Sequence, residues 1–184
     1  YDSKCVLQMF EDRVSKSVGT TVTVVGLFEN SIPVRFLENQ KTFKKQLKSI
    51  VNLLHELAII HPMKKMELIM DGNCIVSSPG GLSSCHDVYK RVLNGGTLCE
   101  FRIPKQDCIS VSGWLSPPSS SGESHQFMYL NSRPINPIKR LAKSILSVYS
   151  KYSVKKVCWI ILIEAEGPNL FDVNISVDKR EILL

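Results

Sequence analysis

The charged residues that close the chain carry its clearest chemistry. Residues 172–184 read DVNISVDKREILL. Val173, Ile175 and Val177 alternate with Asp172, Asn174 and Ser176, the period of a half-buried strand. The strand is predicted to stop at Asp178, where Asp178-Lys179-Arg180-Glu181 has the acid-x-x-Glu spacing of a helix N-cap with a capping box. Lys179 then sits where a strand hands over to a helix start. Free backbone N–H groups and the helix dipole favour a phosphate at such a corner, and a compact ammonium suits a phosphate oxygen. Taken alone, the same residues more simply make an ordinary corner with solvated charges.

A second basic group lies earlier. Arg133 follows the apolar run 126–131 (QFMYLN), and Lys139 and Lys143 stand one turn apart on a predicted helix over 138–149. Clustered cations of this kind track a phosphate backbone without sequence preference and with steep salt dependence. For Lys139 and Lys143 a solvated helix face is an equal reading. Few aromatics interleave with these charges, which argues against base stacking on a single strand. The formal charge of +6 and pI near 9.0 agree with a polyanionic partner.

Other chemistries find no support. The six cysteines form no C-x-x-C pair and the four histidines complete no set with them, so a metal site is not expected. Cys99, Cys108 and Cys158 fall in apolar runs and are expected as buried, reduced thiols, which points to the cytosol or nucleus. His55-Glu56 is followed by Ile59 where a zinc protease needs histidine. Asp71-Gly72 and Pro79-Gly80-Gly81 are explained by turns, since neither leads from a strand into a phosphate-cradling helix. No apolar run approaches the roughly 20 residues that span a bilayer, and no basic-then-apolar signal opens the chain, so no membrane partner is expected. A start at Tyr1 marks the expectation of a fragment.

The elements that must position these residues follow from periodicity. Residues 19–25 (GTTVTVV) are a β-branched strand. Residues 42–60 are a helix with Phe43, Leu47, Ile50, Leu54, Leu57 and Ala58 on its inner face, stopped by Pro62. A hairpin is predicted over 66–70 and 73–77, then a helix over 83–93 with Cys85, Val88, Val92 and Leu93 inward. Strands follow over 97–103 and 108–115, a mobile loop over 117–124, a buried strand over 126–131, and the helix over 138–149. That last helix turns Ile138, Leu141, Ile145 and Val148 inward. Residues 156–166 are the most apolar strand. The order from residue 97 onward implies an α+β or open α/β sandwich, with helices against one face of a mixed sheet.

Three segments resemble one family in its own order. GTTVTV…LF-x-N…PVR over 19–35 is similar to the motif that closes the ATP-binding sheet of MutL/Mlh/Pms mismatch-repair proteins, with one extra residue before the Pro-Val-Arg. QFMYLNSRP over 126–134 and DVNISVDKREILL over 172–184 resemble two further segments of that family. The usual proline two residues before the lysine is Val177 here.

The resemblance implies a eukaryotic Pms-like piece of a GHKL ATPase. Residues 1–35 would end the ATP-binding domain. Residues 36–184 would be the transducer domain, a two-layer α/β sandwich of the ribosomal protein S-five second-domain type with a left-handed β-α-β crossover, truncated at its last helix. Lys179 is then expected to touch the terminal phosphate of ATP, Asn174 to orient its loop, and Thr20 to lie near the adenine. Arg133, with Lys139 and Lys143, is expected to meet DNA. The catalytic glutamate, the asparagine that holds Mg2+ and the Gly-rich lid belong upstream, so no catalytic residue is expected in these 184 residues. Implied partners are a second, Mlh-type subunit in a heterodimer, MutS homologues and DNA, in the nucleus. The alternative is a stand-alone RNA- or ribosome-binding module of the same sandwich fold.

Overall fold

The computed structural model describes residues 21–25, 40–119, 124–152, 156–167 and Arg180. Two units divide the chain, Tyr1–Thr42 and Phe43–Leu184. In the first, residues 21–25 stand in no strand, and Val22, Val24 and Val25 are exposed. This corrects the strand predicted there: a β-branched run becomes a strand only where a sheet accepts its backbone groups and covers its side chains.

Helix α1 spans Gln40–Ile60. Its last turn buries Ala58 and Ile59, whereas Phe43 and Ile50, predicted inward, are about half exposed. Strands β1 (Met66–Met70) and β2 (Asn73–Ser78) form the predicted hairpin. Asp71 and Gly72 both take positive φ, 50° and 77°, the primed turn that follows strand twist. Helix α2 (Cys85–Val92) is capped by Ser84, whose Oγ accepts from the Asp87 amide at 3.1 Å.

Strands β3 (Cys99–Gln106), β4 (Ile109–Leu115), β5 (Gln126–Leu130), β6 (Arg133–Ile135) and β7 (Trp159–Ala165) form one mixed sheet. Its order is β3-β4-β7-β5-β6, with β5 and β7 parallel and every other pair antiparallel. The short β6 has no counterpart in the sequence reading. Asn131 and Ser132 reach φ of 47° and 63° and turn the chain back without a glycine, so the usual hairpin signal is missing. Pro134 is tolerated because β6 is an edge strand.

Helix α3 (Lys139–Ser150) follows β6. It sets Leu141, Ala142, Ile145 and Tyr149 against Met128, Leu130, Trp159 and Ile161. Phe127, Tyr129 and Ile160, the alternate residues of the same strands, join Ala58 and Ile59 of α1 and Val88 and Tyr89 of α2. The α+β class and mixed sheet are those predicted, but helices cover both faces of the sheet, not one. Val148 is another correction: it is exposed, and Tyr149 turns inward, its hydroxyl donating to the Ser116 carbonyl. Cys85 and Cys158 are buried, while Cys99 and Cys108, expected inside, are exposed. Apolar neighbours in sequence do not bury a residue at a sheet edge or in a turn.

Gly113 in β4 sits at φ 151°, and a Cβ there would lie 2.0 Å from the Ile160 carbonyl oxygen of β7. Gly113→Ala is expected to cost at least about 3 kcal/mol, by forcing β4 from its neighbour. Urea unfolding of the 184-residue chain measures it, and an unchanged midpoint would refute the close approach of the two strands.

Candidate functional site

Arg180 belongs to the Asp-Lys-Arg-Glu run and is the one residue of 168–184 among those described. It stands in no helix, which corrects the helix start predicted at Asp178. Its guanidinium Nη2 donates to Oε2 of Glu56, in the last two turns of α1. The two side chains are 27% and 18% exposed, so water screens this pair little. The Arg180 carbonyl accepts from the Asn136 amide at 2.9 Å. One residue is thereby tied both to α1 and to the β6–α3 connection.

Glu56 is itself held from below. Its carbonyl accepts from the Tyr129 hydroxyl of β5 at 2.9 Å. Burial pushes the Tyr129 phenol far above the ordinary tyrosine value, the Glu56 carboxylate and Cys85 adding to the rise and Arg180 opposing it. Tyr129 is therefore a fixed donor. The end of β5 is held too: Asn131 accepts from the Ala165 amide at 2.9 Å, donates to the Ala165 carbonyl at 3.0 Å, and gives its own amide to Ile163. This fixes the turn from which Arg133 emerges.

Arg133 is the first residue of β6, and Lys139 and Lys143 lie in the first two turns of α3; all three are exposed. Among the described residues no carboxylate pairs with any of them. Helix α3 has no acidic residue in its first turn and no side-chain cap. Lys139 and Arg140 thus stand at the positive end of the helix dipole, where an anion is favoured and a cation is not.

The remaining sequence-predicted residues, Lys179, Thr20 and Asn174, lie outside the described residues, as do the strand over 172–177 and part of the loop over 117–124. Among the described residues no three His, Cys, Asp or Glu gather as metal ligands, and no helix is long and apolar enough to cross a membrane. Pro79-Gly80-Gly81 is a structural turn: the Gly81 amide donates to Met63 and the Leu82 amide to Pro62, leaving neither for a phosphate. Glu56 and Arg180 are what sequence reasoning missed. The signal available was one unpaired acid, Glu56, late in a helix rich in lysine, and the arginine directly after Lys179.

A family model described as "DNA mismatch repair protein, C-terminal domain" matches residues 88–184, more than half of the chain. DNA mismatch repair protein PMS1 of Arabidopsis thaliana is 27% identical, over 94% of this chain and 20% of its own length. Mismatch repair endonuclease PMS2 of Homo sapiens is 26% identical, over 90% and 22%. The chain therefore spans about a fifth of these relatives. Among solved structures, the N terminal domain of a DNA repair protein is similar with a TM-score of 0.67 and 29% identity, over 83% of this chain and 52% of that one. The Aquifex aeolicus MutL ATPase domain complexed with ADP shares the fold, with a TM-score of 0.54 and 18% identity over 73% of this chain and 48% of that one.

The buried Tyr129 hydroxyl makes stability depend on pH. Its raised pKa means that the folded chain keeps the proton after the unfolded chain has lost it, near the ordinary value of 10.0. Stability from this group is complete below about pH 10 and falls above it, by about 1.4 kcal/mol per pH unit. Tyr129→Phe is expected to cost about 1 kcal/mol at neutral pH and to make the decline above pH 10 shallower. Denaturant titrations from pH 7 to 11 measure both, and equal slopes would show that Tyr129 ionises freely.

Proposed function

The chain belongs to the DNA mismatch repair family, and from that membership we propose that it is the transducer part of a MutL-homologue subunit, coupling ATP binding to dimer closure and to DNA. In this reading residues 1–35 end the ATP-binding domain and residues 36–184 form the transducer, with the β5–β6–α3–β7 connection as its left-handed crossover. The family match favours this over a stand-alone RNA- or ribosome-binding module.

The observation that carries the DNA half is α3 with its flanking strand. Arg133, Lys139 and Lys143 are exposed, no described carboxylate pairs with them, and two cations stand at the helix end that favours an anion. Duplex phosphates would supply the missing charge without regard to sequence.

For the nucleotide, Arg180 commits its charge to Glu56. Of the two cations in the run it is not the one offered to a phosphate, which fits Lys179 in that role. Lys179 would present its ammonium to the terminal phosphate of ATP, Asn174 would orient the loop, and Thr20 would lie near the adenine. A contact made to the terminal phosphate alone distinguishes ATP from ADP, the differential that a ligand-driven switch requires. In this reading the metal and the hydrolytic machinery belong to residues upstream of this chain. The partners in this reading are a second, Mlh-type subunit, MutS homologues and DNA, in the nucleus.

Lys179→Ala in the complete protein is expected to weaken ATP binding by about one to two powers of ten, roughly 1.5–3 kcal/mol, and to leave ADP binding almost unchanged. Calorimetric titration with a non-hydrolysable ATP analogue and with ADP decides it. Equal losses would reduce Lys179 to a corner lysine.

Arg133→Glu is expected to weaken duplex binding alike for all sequences and to flatten its salt dependence by about one phosphate contact. Titrations at several salt concentrations test this. An unchanged slope in a folded variant would remove Arg133 from the interface.

A further inference from the structure

Three contacts meet around Glu56 that the proposed roles do not use. Its carboxylate accepts from Arg180, its carbonyl accepts from Tyr129, and Arg180 in turn accepts from the Asn136 amide. Asn136 lies three residues after Arg133 and three before Lys139. Arg180 follows Lys179 directly. The pair therefore stands between the two halves of the proposed function, covalently next to the nucleotide-sensing lysine and hydrogen-bonded to the connection that carries the DNA-facing cations.

We propose that Glu56 is a positioning residue, acting through Arg180, that couples engagement of Lys179 to the placement of the Arg133–Lys139 connection. The physical ground is that Arg180 cannot move alone. Parting it from Glu56 would break an ion pair that is largely out of water. Moving Glu56 would strain the Tyr129 bond, and Tyr129 is 1% exposed in a packed strand. A backbone shift at 180 acts on the Asn136 amide, which donates to the Arg180 carbonyl. That connection leads into the exposed first turn of α3, which no side chain caps. Coupling so arranged is reciprocal: bound duplex should tighten the ATP state by the same factor that the ATP state tightens duplex.

The inference rests on the proposed transducer reading, and the test separates the two. In the complete protein, the affinity for a duplex of random sequence is measured with a non-hydrolysable ATP analogue and with ADP, for the unaltered protein and for Glu56→Gln, Arg180→Gln, the double variant and Glu56→Asp. The unaltered protein should bind duplex about fivefold or more tighter with the analogue. Each single glutamine variant should bring that ratio close to one while its affinity in ADP changes less than about twofold. The double variant should lose no more of the ratio than either single one, since the Glu56–Arg180 pair is lost in all three. Glu56→Asp, which keeps the charge and is the variant most certain to fold, should give an intermediate ratio. A full ratio in Glu56→Gln or Glu56→Asp, or equal weakening in both nucleotide states, would overturn the positioning role. A ratio of one in the unaltered protein would overturn the transducer reading itself.

Discussion

Strand β7 is the constraint on which the rest of the fold depends. Trp159, Ile160 and Ile161 are at most 1% exposed, so both faces of the strand are closed to water. Its backbone is paired on one side with β4 and on the other, in parallel, with β5. A strand apolar on both faces needs a cover on each, which is why α1 and α2 pack on one face and α3 on the other. The parallel pairing has a second consequence. A chain leaving β5 must cross the sheet to re-enter beside it, and that excursion carries β6, its connection to α3, and every described cation proposed to meet DNA.

The Glu56–Arg180 pair adds a link of a different kind. Apolar packing holds α3 to the sheet without choosing between functional states, because dispersion and burial are non-directional. An ion pair largely out of water, with one hydrogen bond at each end, fixes a particular backbone atom to a particular partner. It joins α1, the end of β5 through Tyr129, and the β6–α3 connection through Asn136. The site thereby becomes a chain of named contacts, from the residue beside Lys179 to the residues between Arg133 and Lys139.

Much of this was legible in the sequence where periodicity is strong. The hairpin across Asp71-Gly72, the helix over 83–93 and the apolar strand over 156–166 announce themselves by turn chemistry, helical spacing and hydrophobic run. What stayed hidden depends on tertiary context. β6 is a strand because Asn131 and Ser132 accept positive φ, a conformation that neither residue type demands. Phe43 and Ile50 have core-like spacing on a helix whose last turn alone is buried, and Cys99 and Cys108 have apolar neighbours but edge and turn positions. Of the proposed site, Arg133, Lys139 and Lys143 were visible in the sequence as a charge pattern, and all three are exposed. The Glu56–Arg180 contact joins residues 124 positions apart, and no local spacing encodes such a meeting.

The Asn136 amide reports on the central contact directly, because its hydrogen is donated to Arg180. Hydrogen exchange of that amide in the complete protein, compared between a non-hydrolysable ATP analogue and ADP, asks whether the nucleotide is felt at the connection proposed to meet DNA. The account requires slower exchange at Asn136 with the analogue, while amides of β7 exchange equally in both states. Identical exchange at Asn136 in the two nucleotide states would contradict it.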